Sequence, residues 1–69
     1  MDQLKTEIFL LNIRYYQMRI SEDEVRRYDD SSEINREIRD VLIKALNINR
    51  QLFDDQNKVV EKLIEDIKK

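Results

Sequence analysis

Glycine, proline, cysteine and histidine are all absent from this chain of 69 residues. Each absence excludes something. Without glycine or proline, tight turns and left-handed helix caps lose their usual residues, and helix becomes the simplest backbone from end to end. Without glycine, the familiar phosphate-cradling loops cannot be built. Without histidine and cysteine, the commonest general acid–base group, the soft metal ligands and the thiol nucleophile are missing. Disulfides are impossible, and a chain without thiols fits a reducing, cytoplasmic setting. Together these gaps point away from an enzyme and from any bound cofactor. They favour a small helical protein whose business is contact with other proteins.

What the chain does contain agrees. Thirteen basic and 15 acidic residues give a net charge of −2, so no global field draws it to nucleic acid. A charged fraction of 41% beside a hydrophobic fraction of 41% is the balance of a charged-surface helical bundle, not of a disordered tail. The longest apolar run is Ile8, Phe9, Leu10 and Leu11, far short of the roughly 20 residues that span a bilayer. Asp2 and Lys5 at the start give no sign of a signal peptide. We expect one soluble domain over residues 1–69. A chain this short buries only about 60% of its unfolded surface, and oligomerisation commonly supplies the missing stability.

Helical periodicity divides the chain into three pieces. Over residues 2–20, Leu4, Ile8, Leu11, Tyr15 and Met18 share one face, and Phe9, Ile13, Tyr16 and Ile20 form a second stripe far around the helix. An ordinary surface helix has one apolar stripe. Two stripes call for partners on both sides. Ser21 then heads a capping box with Glu24, flanked by Ile20 and Val25 as a hydrophobic staple. That pattern predicts a break at Ser21 and a short capped helix over 22–28. Asp29, Asp30, Ser31 and Ser32 all compete with helix interior and mark the connecting loop, with Asp30 and Glu33 spaced as a second box-like start.

Residues 33–68 hold one helical phase. Ile34, Ile38, Val41, Ala45, Ile48, Leu52, Val59 and Leu63 share a face, widened on one side by Leu42, Leu46, Phe53, Val60, Ile64 and Ile67, while Ile43 points away. Residues 47–57 are the weak stretch, because Asn47, Asn49, Asp54, Asp55 and Asn57 are poor helix formers. The surviving phase predicts a continuous long helix. The apolar stripe drifts at 3.6 residues per turn, which suits a compact bundle better than a long supercoil.

Few residues suggest chemistry. Glu22, Asp23 and Glu24, the pair Asp29 and Asp30, and the pair Asp54 and Asp55 are caps and solvated surface: helical di-metal sites need histidine, and helix-loop-helix calcium sites need a central glycine. Arg26, Arg27, Arg36 and Arg39 form the densest basic group, but Glu33, Glu37 and Asp40 stand among them and repel phosphate. Asn49 and Gln56 fall seven residues apart inside the long apolar stripe, either as a polar register device in a helix–helix interface or at a wet stripe edge. Tyr15 and Tyr16 lie on opposite faces and suit interfaces, with buried rings and wet hydroxyls.

Residues 20–28, Ile-Ser-Glu-Asp-Glu-Val-Arg-Arg-Tyr, resemble the short helix of Sin-type anti-repressors, in which a preceding helix and this segment form a hook that docks on a repressor. The long helix that follows departs from that family. Ser32, Glu33, Ile34 and Asn35 resemble the Ser-x-Glu-Leu-Asp signature of small sporulation-phosphorelay phosphatases, with asparagine in place of the aspartate.

The expected fold is therefore all-α. Residues 2–28, kinked or broken near Ser21, pack back against 33–68 as a helical hairpin or small bundle completed by homodimerisation. The expected function is a non-enzymatic interaction module: a small adaptor, chaperone-like partner or inhibitor of a larger protein. The alternative is a small transcriptional regulator or anti-repressor. Phe9, Ile13, Tyr16, Ile20, Asn49, Gln56, Val60, Ile64 and Ile67 are the candidate interface residues.

Overall fold

A computed structural model describes residues 2–29 and 31–68. Two helices, α1 (Asp2–Arg26) and α2 (Glu33–Lys68), pack against each other as an antiparallel hairpin. The chain is an all-α rod of 55 × 14 × 11 Å, its long dimension being the length of α2 at about 1.5 Å per residue. No strand occurs among the described residues.

α2 begins where capping chemistry is available. Ser32 is its N-cap: the hydroxyl accepts from the Asn35 amide at 3.1 Å, and the Ser32 carbonyl takes the first helical bond from the Arg36 amide. Just upstream, Asp29 Oδ1 accepts from the Ser31 amide at 3.0 Å, from the Ser31 hydroxyl and from Asn35 Nδ2 at 3.3 Å. These bonds hold the Asp29 carboxyl below its ordinary pKa, the Ser31 hydroxyl contributing most. Asp30, expected as a second cap, lies outside the described residues. Beyond Ser32 the helix is unbroken through 47–57. The poor helix formers there are tied down locally, with Gln51 donating to Asp55 at 2.9 Å and Asn57 to Glu61 at 3.0 Å.

The break expected at Ser21 does not exist. α1 runs through it to Arg26, and there is no separate helix over 22–28. Ser21 does not cap with Glu24. It is buried, and its hydroxyl accepts a 2.6 Å bond from Asn49 Nδ2 on α2. A serine whose hydroxyl is satisfied across the hairpin has no reason to leave the helix for its own backbone. α1 ends one turn later, where the Arg27 and Tyr28 amides donate to the Glu24 and Val25 carbonyls in tighter three-residue turns.

The cross-helix pairs set the register. Glu7 meets Gln56, Tyr15 meets Phe53, Ser21 meets Asn49 and Glu22 meets Arg50. Arg26 then lies beside Leu46, so the first turns of α2, about 33–43, extend past the end of α1. The half-buried and buried positions of α1 include an unbroken three-four alternation, Leu4, Glu7, Leu11, Arg14, Met18, Ser21 and Val25, which Tyr28 continues just past the helix end. On α2 the matching series is Asn35, Arg39, Leu42, Leu46, Asn49, Phe53, Gln56, Val60 and Leu63. This is a strict seven-residue repeat, not the drifting stripe expected. Its polar members hid it from a count of apolar residues. The packing face of α2 is consequently the flank with Leu42, Leu46, Phe53 and Val60, while the row from Ile34 to Ile48, expected to face the core, is turned outward.

Candidate interaction surface

The seam between the helices is thin. Leu46 and Val60, each 6% exposed, are the only buried hydrophobic residues among those described. Polar layers interrupt it. Gln56 Nε2 donates to the Glu7 carbonyl oxygen at 2.9 Å and also to the Glu7 carboxylate, and seven residues earlier Asn49 donates to Ser21. Asn49 and Gln56 are thus register devices within one chain, reached from α1 of the same hairpin. Beside them Glu22 stands 3.6 Å from Arg19 and 4.0 Å from Arg50.

The outer surface is the reverse. On α1, Phe9, Tyr16 and Ile20 are 64%, 66% and 57% exposed, with Ile13 half-buried between them. On α2, Ile34, Val41 and Ile48 are 68%, 65% and 62% exposed, and Ile38 and Ala45 also face solvent. The inner edges of the two rows open on one flank of the hairpin, while Phe9, Tyr16, Val41 and Ile48 stand about 60–80° further round, towards the backs of their helices. Glu24 and Ile38 line a shared groove with Arg27, Tyr28 and Leu42. At about 100° per residue, Ile13 and Ile20 lie within about 40° of Glu24, and Ile34 and Ala45 within about 40° of Ile38. The rows are staggered: they meet near Ile20 and Ile48, then run apart, one towards the free ends of the hairpin and the other towards the loop.

The other candidate residues fall elsewhere. Val60 is buried in the seam, and Ile64 and Ile67 stay partly exposed near the end of α2. Tyr15 and Tyr16 touch edge to face with ring centroids 6.0 Å apart, and Tyr15 continues to Phe53 at the same distance. Glu24 contributes its carbonyl to the end of α1 and its side chain to the groove. Sequence reasoning finds the Phe9, Tyr16 and Ile20 row but treats the α2 row as core. The signal that separates them is the polar heptad partner series, because Ser21, Asn49 and Gln56 mark the true seam.

No group of three or more carboxylates spaced to hold a metal occurs among the described residues, and no described helix is long and apolar enough to cross a membrane. No protein-family model, curated protein or solved structure matches this chain.

Proposed function

We propose that this chain is a non-enzymatic protein–protein interaction module of the cytoplasm, working as a homodimer that adapts to or inhibits a larger protein. The observation that carries the reading is surface in excess. A compact protein of 8.5 kDa exposes about 4,700 Å² by the usual scaling, whereas this hairpin exposes 5570 Å². The surplus of roughly 900 Å² is close to the ~800 Å² that each partner contributes to a standard interface. It coincides with contiguous apolar rows of the kind that mark binding surfaces. Aromatic anchors such as Phe9 and Tyr16 supply contact area at low entropic cost.

Sedimentation equilibrium tests the homodimer: the mass should be twice 8.5 kDa at tens of micromolar, and a monomer at every concentration would contradict it. For the larger partner, a protein retained from native extract by the wild type should be lost with Tyr16→Glu. Salt-sensitive retention on heparin or random DNA would instead move the function to nucleic acid, carried by the arginines near the loop.

A further inference from the structure

We infer that the two copies join through the loop-proximal half of α2, whose apolar row pairs antiparallel with the same row of a second chain. The inference rests on the homodimer reading above and specifies which surface the copies share. The row is Ile34, Ile38, Val41, Ala45, Ile48 and Leu52. Its spacing is four, three, four, three, four, which reads the same from either end. A two-fold axis perpendicular to α2 and level with Ile43 therefore sets Ile34 opposite Leu52 of the second copy, Ile38 opposite Ile48, and Val41 opposite Ala45. Every apolar side chain meets another, as an isologous contact requires, and the small pair at the centre lets the helices approach closely.

The α1 row, spaced four, three, four, is symmetric too, but it is shorter. Phe9, Ile13, Tyr16 and Ile20 cover under half of a helix whose packing partner already lies along its full length. The α2 row, in contrast, starts on turns that extend past the end of α1. A second hairpin can approach there clear of α1, and only the far end of the row, Ile48 and Leu52, runs beside α1 near Ile20. The two α1 helices then point away from the junction in opposite directions. Each keeps Phe9 and Tyr16 open, so the dimer is bivalent: a joint at its middle and one aromatic docking row towards each end.

The absence of native cysteine makes the geometry measurable with single spin labels. In the antiparallel register, Lys44→Cys labels on the two copies lie level to within two residues, at a separation under about 20 Å for helices packed 8–10 Å apart. Lys62→Cys labels lie 38 residue steps apart along the axis, about 57 Å at 1.5 Å per residue. Dipolar spectroscopy should return one short and one long distance. Two short distances would mean parallel pairing and would overturn the inference while leaving the homodimer intact. No distance at either site, with a monomeric mass, would overturn the homodimer itself. Val41→Glu should weaken association at least about 100-fold with helix content unchanged, because Val41 is not part of the seam. A dimer that survives Val41→Glu but is lost with Tyr16→Glu would place the joint on α1 and refute this assignment.

Discussion

The inside and the outside of this hairpin have exchanged their usual compositions. Between the helices lie Glu7, Arg14, Ser21, Asn49 and Gln56, while Phe9, Tyr16, Ile34, Val41 and Ile48 stand in solvent. A seam with polar layers is weaker than an all-apolar one, but it restricts the register: slipping by one heptad would separate Ser21 from Asn49, and in the direction that sets Ser21 against Leu42 it would leave the hydroxyl without a partner. An outer face of isoleucine, valine and aromatic rings has no such selectivity within one chain. It is useful only when something covers it. The seam thus sets the shape of the rod, and in the proposed dimer the flank supplies the contact.

The contrast breaks most severely at Leu46. Leu46→Ala removes one of the two buried hydrophobic side chains among the described residues and should cost about 2–5 kcal/mol, visible in denaturant unfolding at any protein concentration. Val41→Ala should change the isolated hairpin by no more than about 0.5 kcal/mol and act only where dimer is present. Equal losses from both, independent of concentration, would mean that inside and outside are not distinct.

The polar layer comes next. Asn49→Ala leaves the buried Ser21 hydroxyl without its partner and should cost about 1–3 kcal/mol. A double-mutant cycle with Ser21→Ala should return a coupling of about 0.5–1.5 kcal/mol. Zero coupling would remove the register device from the account. Ser32→Ala should cost about 1 kcal/mol as a lost N-cap, measured by thermal unfolding, and should leave association of the folded chains unchanged.

These residues show how far sequence reaches and where it stops. The α2 limits, the loop near Asp29 and the exposed second stripe of α1 are legible because each depends on neighbours in sequence: a cap, a run of competing side chains, a three-four spacing. Ser21 misleads for the same reason. Its local pattern is that of a cap, but the group that satisfies it is Asn49, 28 residues away. The seam is hidden because about half of its positions are polar, so the stronger apolar series, Ile34 to Leu52, takes its place. A count of hydrophobic residues finds the surface most in need of cover. It does not say whether the same chain covers it.

The smallest effect is in pH. Asp29 is held below its ordinary 3.8 by the Ser31 hydroxyl and amide and by Asn35. A depressed carboxylate contributes stability above its unfolded pKa and loses it as pH falls through the folded value. The Asp29 contribution is therefore intact at neutral pH and fades only below 3.8. An NMR titration of the Ser31 amide should show its shift moving in that acid range, and a midpoint above 3.8 would contradict the hydrogen-bonding scheme.

The central claim is that the outer flank, not the seam, is the surface that needs a partner. Methyl NMR with a water-soluble paramagnetic probe tests it most directly, in one sample read at two concentrations. Leu46 and Val60 methyls should be shielded both in the concentrated sample and after dilution below the dissociation constant. Ile34, Val41 and Ile48 methyls should be shielded when concentrated and broadened by the probe on dilution. Outer methyls that stay fully accessible at every concentration, with the seam still protected, would contradict the account.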